Sequence, residues 1–314
     1  MEGANILTRN MIIFGQGAIR GHPYVLQEIT AANDSDKQRA LVAFDQALIG
    51  HIAFSLRNVC RSFWYGLSSK NIKQIPEGIL SDTVDYYRQL TRFSAAFALL
   101  TDIAMLKLGG ALKRKERISA RLGDILSMLY LCSATLKRFE DDGRPAADLP
   151  LLHWSIQDAL YRTQQAFDGL LRNFPGHFLL RGLMRILVFP LGMRLVPPAD
   201  ALSNTVARLI LEPGEVRDRL TAGIYIPNND DEPLAYLEQA MECAVVCEAI
   251  ETKLRHAVKA GQLTARNDEK VTEALQRGIQ EEAALLEKMK VLRRRVIMVD
   301  DFSPDFGKTA SMAS

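Results

Sequence analysis

The sequence predicts an all-α protein: a helical bundle with additional helices packed on it. Three observations point there. Apolar residues recur at helical spacing through segments of bundle length. Clusters of Gly, Pro, Asn and Asp separate those segments. Nothing in residues 36–173 alternates with the period of two that a half-buried strand requires. With 314 residues, 48% of them hydrophobic, the chain is long enough to bury a sizeable core.

Residues 3–20 read as a first helix, with Ile6, Leu7, Ile12, Ile13 and Phe14 apolar and an end near Gly15 or Gly17. A second helix is predicted over 36–65. Asn33-Asp34-Ser35 supplies its N-cap, and Leu41, Phe44, Leu48, Ile52, Ser55, Leu56 and Val59 trace one face. Ile75-Pro76-Glu77-Gly78 interrupts the pattern, because proline disfavours helix at the preceding residue. A third helix runs over 82–108 until Gly109-Gly110 stops it. The fourth covers 113–140 and closes at 141–145, and the fifth starts near Asp148 or Pro150 and ends before Asn173-Phe174-Pro175. Four helices of this length on short connections argue for an antiparallel bundle over 36–173.

The character then changes. Residues 169–199 contain no Asp or Glu yet carry Arg172, Arg181, Arg185 and Arg194 among dense apolar residues, and Pro190 and Pro197-Pro198 break the stretch into short pieces. Arg181 and Arg185, one turn apart, are placed to face anionic headgroups while Phe178, Leu183, Leu187 and Phe189 sink into an acyl boundary. The competing reading packs the same residues on a protein surface, with the arginines paired to acids elsewhere. The sequence leaves both open, and Phe178, Arg181, Arg185, Phe189 and Arg194 are the candidate membrane or partner contacts. Short helices follow over 202–211 and 215–220, then a turn at 222–227, and long helices over 233–260 and 268–289. Glu281-Glu282 and Arg293-Arg294-Arg295 read as solvated faces.

Composition excludes several classes. A net charge of +2 gives no whole-chain electrostatic case for nucleic acid as a partner. Cys60, Cys132, Cys243 and Cys247 are too few and scattered for a disulfide framework, which predicts a reducing cytoplasmic setting. Cys243 and Cys247 lie one turn apart without a second pair or nearby His, so buried thiols are expected and no metal site is predicted. His22, His51, His153, His177 and His256 form no ligand cluster by spacing, and no nucleophile-elbow pattern appears. Gly15-Gln16-Gly17 is no dinucleotide fingerprint, since the third glycine falls one place late at Gly21 and no strand precedes it. No run of about 18 uncharged apolar residues is present to span a bilayer.

The most specific stretch is Met1–Val25. Glu2-Gly3 followed by a small residue, with Arg9 seven positions after the Glu, resembles the Glu-Gly-Thr segment of the flavin-dependent acyl-CoA dehydrogenases. The run Gly15-Gln16-Gly17-Ala18-Ile19-Arg20, then His22-Pro23-Tyr24, resembles the large bacterial fatty acyl-CoA dehydrogenases with a long helical C-terminal extension. Leu108-Gly109-Gly110-Ala111-Leu112 with Ser119–Asp124 resembles the helical C-terminal bundle of the acyl-CoA dehydrogenases themselves, Leu211–Gly214 and Val299–Phe302 resemble the bacterial extension, and together the resemblance covers residues 2–306. It implies that residues 1–30 end the catalytic domain, that 31–306 form the bacterial-type C-terminal helical domain, and that 307–314 are a flexible tail. It also implies α,β-desaturation of fatty acyl-CoA to trans-2-enoyl-CoA in β-oxidation, with Glu2 as catalytic base, FAD as hydride acceptor and electron-transfer flavoprotein as electron acceptor. Gly3 and Arg9 lie near the cofactor in that scheme. The family's Thr after Glu-Gly is Ala4 here and the Gln two further on is Ile6, so those flavin contacts are not carried over.

The resemblance places the protein in the bacterial cytoplasm, with the inner membrane surface open as a peripheral site and a second copy of the chain open as a partner. The chain alone, lacking the family's N-terminal helical and middle β-domains, is expected to be inactive. The alternative from a different class is a non-catalytic membrane-docking or oligomerisation module.

Overall fold

The computed structural model describes residues 17–73, 75–225, 232–261 and 280–298, with Thr8, Pro227 and Asn229. Among these residues there are eleven α-helices and no strand. They are α1 (Gly17–Gly21), α2 (Val25–Ala32), α3 (Lys37–Leu67), α4 (Val84–Leu108), α5 (Glu116–Asp141), α6 (Leu149–Asn173), α7 (Phe178–Val188), α8 (Asp200–Leu211), α9 (Glu215–Thr221), α10 (Pro233–Lys259) and α11 (Gln280–Ile297). The chain divides into two compact units, Met1–Ser203 and Asn204–Ser314.

In the first unit α3, α4, α5 and α6 form the bundle. Asp36, rather than the expected 33–35 segment, caps α3. Its carboxylate accepts from the backbone amides of Gln38 (3.1 Å) and Arg39 (3.2 Å). Asp34 instead takes the Arg39 guanidinium through two bonds of 2.8 Å, and this partner holds its carboxyl down at about 2. A 3₁₀ turn, Ser81–Thr83, leads into α4, and Gly109 at φ 49° ends it where an L side chain would be strained. The α5–α6 corner places Gly143 at φ 81° and Arg144 at φ 61°, and the Arg144 guanidinium pairs with Glu140 of α5.

The core runs between α4, α5, α6 and α7. Phe93 of α4 stacks on Phe167 of α6 at 5.4 Å between ring centroids, and Phe189, just after α7, meets both edge-on at 6.3 and 6.1 Å. The helical stretch Ser81–Arg114 is long and apolar enough by composition to cross a bilayer, but its Phe93, Ala96, Leu100 and Ala104 are spent in this core. Between α7 and α8 the chain has no regular structure over 190–199. One side chain anchors it. The buried Gln164 accepts from the amides of Arg194 (3.1 Å) and Leu195 (3.0 Å) and donates to the Leu195 carbonyl (2.9 Å).

The second unit is built on an α10–α11 pair. Ala240, Cys243, Cys247, Ile250 and Leu254 pack on Leu286, Met289 and Leu292. Arg217 of α9 reaches Glu238 of α10 at 2.7 Å. The last helix was expected over 268–289. It runs instead through the three arginines to Ile297, and residues 262–279 lie outside the described set.

The apolar face traced on the second helix is divided: Leu41, Leu48, Ile52 and Leu56 are exposed, whereas Phe44, Ser55 and Val59 are half-buried. The buried line of α3 is Ala47, Asn58 and Ser62, with His51 and Ser55 half-buried beside it. Periodicity shows that a helix has an apolar face, but not that anything within the same chain covers it.

Candidate functional site

Glu2, Gly3 and Arg9 lie outside the described residues. The acid-free stretch is fully placed. Its helix α7 turns Phe178, Leu179, Leu183 and Ile186 to solvent, each more than half exposed. His177 caps this helix by accepting from the Leu179 amide at 3.4 Å. Phe189 is not on that surface; it is 4% exposed and belongs to the aromatic core. Arg185 is bound to Asp168 of α6 at 2.8 Å, the acid immediately before the acid-free stretch, and Asp168 also holds Arg172 at 2.7 Å. Arg181 is half-buried on the flank of the exposed face, and Arg194 is exposed.

The structure assembles a polar cluster that spacing did not reveal, because its members lie up to 80 residues apart. His22 precedes α2 and caps it, since its Nδ1 accepts from the amides of Tyr24 (3.2 Å) and Val25 (3.1 Å). That commitment fixes the tautomer. The proton sits on Nε2, which donates to Asp102 Oδ1 of α4 at 2.9 Å. Ser55 of α3 donates to the other oxygen of Asp102 at 2.7 Å, and His51 Nδ1 donates to Glu28 of α2 at 2.8 Å. Burial, opposed by the Asp102 carboxylate, and the neighbouring His51 hold the His22 imidazole below its ordinary pKa.

This cluster invites two chemical readings, and its geometry disfavours both. His22, His51 and Asp102 bring ligand atoms within 4.8 Å of one another. A metal-ligating histidine keeps its second nitrogen as a donor. His22 has the reverse arrangement, with Nδ1 accepting and Nε2 protonated, so it has no lone pair to offer. For acyl transfer the serine must hydrogen-bond a basic histidine. Ser55 donates to the carboxylate instead, so it is not activated. The cluster is a polar lock that ties α2, α3 and α4 together.

Two open clefts flank it. One, of about 850 Å³, is lined by Asn58 and Arg61 of α3, by Glu77 in the α3–α4 connection, by Tyr87 and Thr91 of α4, and by Lys137 and Glu140 of α5. Lys137 is paired with Asp141, and two carboxylates stand in the same wall. The other, of about 890 Å³, lies between α2 and α3, where Arg39 is already taken by Asp34. Neither presents the row of free donors that a dinucleotide pyrophosphate needs.

In the second unit Cys243 and Cys247 are buried free thiols whose sulfurs lie 3.8 Å apart, and both reach the Leu285 carbonyl. Burial and the neighbouring Cys243 push the Cys247 thiol up to about 11.

Residues 19–302 match the family described as acyl-CoA dehydrogenase, C-terminal, bacterial type. The chain belongs to this family. The match covers both units of the acyl-CoA dehydrogenase C-terminal region and every described helix beyond the first residues of α1. No solved structure matches the chain. The all-α architecture agrees with the resemblance drawn from the sequence, and helices end near 109–110 and 141–145, where glycine and proline punctuate the chain.

Proposed function

We propose that the chain works as part of an FAD-dependent acyl-CoA dehydrogenase that converts fatty acyl-CoA to trans-2-enoyl-CoA in β-oxidation and passes electrons to an electron-transfer flavoprotein. The family match over residues 19–302 supports this reading. The described residues do not fit a flavin: their clefts lack a pyrophosphate cradle, and the one histidine–carboxylate cluster is closed on itself. Flavin and thioester are therefore assigned to parts of the enzyme outside the described residues, and turnover requires those parts. Within this reading Glu2 takes the α-proton, a task that suits a carboxylate whose pKa is raised by a desolvated site.

The test is flavin absorbance and acyl-CoA turnover of the chain, alone and combined with a dehydrogenase core. A complex that keeps its flavin but loses turnover by about two orders of magnitude or more on Glu2→Gln agrees with general-base catalysis. Unchanged turnover in that variant removes Glu2 from the chemistry.

The exposed face of α7 favours a second, compatible reading, in which this helix rests on an anionic membrane surface from the cytoplasmic side. Vesicles containing anionic lipid should co-sediment the chain. Phe178→Asp with Leu183→Asp should release it, and so, more weakly, should Arg181→Glu. A parent chain that stays in the supernatant ends this reading.

A further inference from the structure

The cleft of about 850 Å³ that opens over α4 takes no part in either reading. Its floor is a stripe of small residues, Thr91, Ser94, Ala95 and Ala98, which recur at three- and four-residue spacing and so share one face of α4. Elsewhere α4 carries Phe93, Leu99 and Leu100 into the core. Along this stripe the side chains are too short to fill the space between α3 and α5, and a trough is left above them. Small residues by themselves make only a groove. The polar groups in its walls make this one a candidate site.

Asn58, on the α3 side, is 3% exposed, and its Nδ2 has no hydrogen-bond partner among the described residues. On the α5 side Glu140 gives one carboxylate oxygen to Arg144, while the other is buried and without a partner among the described residues. Buried polar atoms are almost always paired, so each orphan needs an account. Both residues line the cleft, and the terminal torsions of Asn and Glu side chains are broad. A small turn of either end group therefore offers its orphan atom to whatever fills the cleft.

We propose that this cleft binds a small organic ammonium, an amine that is cationic at neutral pH and is carried on an apolar body. Charge selects the head. The cations of the wall are directed elsewhere: Lys137 pairs with Asp141, and Arg61 lies over the Tyr65 ring at 5.6 Å. The acids are not. Besides the spare Glu140 oxygen, Glu77 is exposed with no ion pair among the described residues. An anionic ligand would add a like charge beside these two carboxylates, whereas an ammonium supplies what both lack. The lining selects the body, since Phe54, Ile79, Leu90, Ala95 and Ala98 are apolar, and the volume lies within the range of small-molecule sites. Burial and the Glu140 carboxylate push the Tyr87 phenol above its ordinary pKa, so it stays neutral and its ring offers a face to a cation. Asn58 Nδ2 is left to donate to an acceptor on the ligand's body. The site rests on the first unit alone and stands whether or not the dehydrogenase reading does.

An amide-resolved NMR titration of the full chain with n-octylamine, 1-octanol and octanoate at pH 7.5 tests the proposal. The three probes share one body and differ in the charge of the head. Octylammonium should shift amides within 54–61, 87–98 and 133–140 and bind at least tenfold tighter than octanoate, with octanol between them. Glu77→Gln with Glu140→Gln should weaken octylammonium at least tenfold and leave octanol unchanged. Because Glu140 also holds Arg144, Ser94→Phe is the second variant. It fills the exposed floor without touching a charge and should weaken all three probes alike. Octanoate binding as tightly as octylammonium overturns the proposal, as does the absence of any shift with octylammonium up to about 10 mM. Shifts confined to α7 overturn it too, as does an octylammonium affinity that either variant leaves unchanged.

Discussion

Asp102→Ala is the perturbation that tests the polar lock most sharply. Among the described residues the Asp102 carboxylate accepts both the His22 Nε2 proton and the Ser55 hydroxyl, and the His22 and Asp102 side chains are 6% and 9% exposed. Alanine leaves both donors without an acceptor. A stranded buried donor costs about 1–3 kcal/mol. Ser55 has an escape, since a helical serine can turn its hydroxyl to the carbonyl one turn back. His22 has none: its other nitrogen is committed to the two amides that start α2. The expected loss is therefore about 2–4 kcal/mol, weighted toward the histidine. Asp102→Asn, which keeps an oxygen for His22, should lose about half as much. Both tryptophans, Trp64 and Trp154, lie in the first unit. Intrinsic fluorescence in a urea titration therefore reports this unit alone and avoids averaging over two. A loss below about 1 kcal/mol for Asp102→Ala would mean that water or a neighbouring group satisfies His22, and the lock would be no more than a surface contact.

Three further outcomes follow from the same geometry. The folded His22 holds its pKa below the ordinary value, so as pH falls through about 6.5 the unfolded chain takes up the proton first. Stability of the first unit should then decline until the pH passes the folded pKa, by at most one proton's dependence, and urea midpoints between pH 7.5 and 5 should show a slope that His22→Asn removes. Gly66→Ala would drive its new Cβ to 2.6 Å from Pro190 Cδ and 3.3 Å from the Val188 carbonyl oxygen. It should lower the fluorescence-detected stability by about 1–3 kcal/mol, as overpacking does. Cys60 is exposed, whereas burial pushes Cys132 up to about 12 and Cys247 to about 11. A thiol reagent at pH 8 should titrate one cysteine in the native protein and four after denaturation; prompt reaction at a second site would contradict the burial described.

Local grammar made the helices legible. Gly109-Gly110 marks the passage from α4 to α5, and Gly143 with the proline at the start of α6 marks the passage from α5 to α6. The long α5 and α6 were readable because periodicity and burial agree there. Tertiary pairing was not readable. His22 and Asp102 meet across 80 residues, and neither carries a local signal for the other beyond a histidine placed just before a helix. The direction of the α3 face was not legible, because apolar spacing is the same whichever way the face turns. Phe189 was assigned to a surface by its neighbours in sequence. The backbone leaves the helix at that residue and turns its ring edge-on against the stacked Phe93 and Phe167.

The Gln164 side chain gives residues 190–199 an unusual kind of order. Its amide occupies the place a neighbouring strand would take, binding two consecutive N–H groups and one carbonyl of a segment that has no ladder of its own. Those N–H groups can exchange with solvent only when the amide withdraws, and the amide cannot withdraw far while the helix beneath it is intact. The deuterium uptake of Arg194 and Leu195 should therefore follow the opening of α6 rather than the local fluctuations of a loop, making an irregular segment keep helix time.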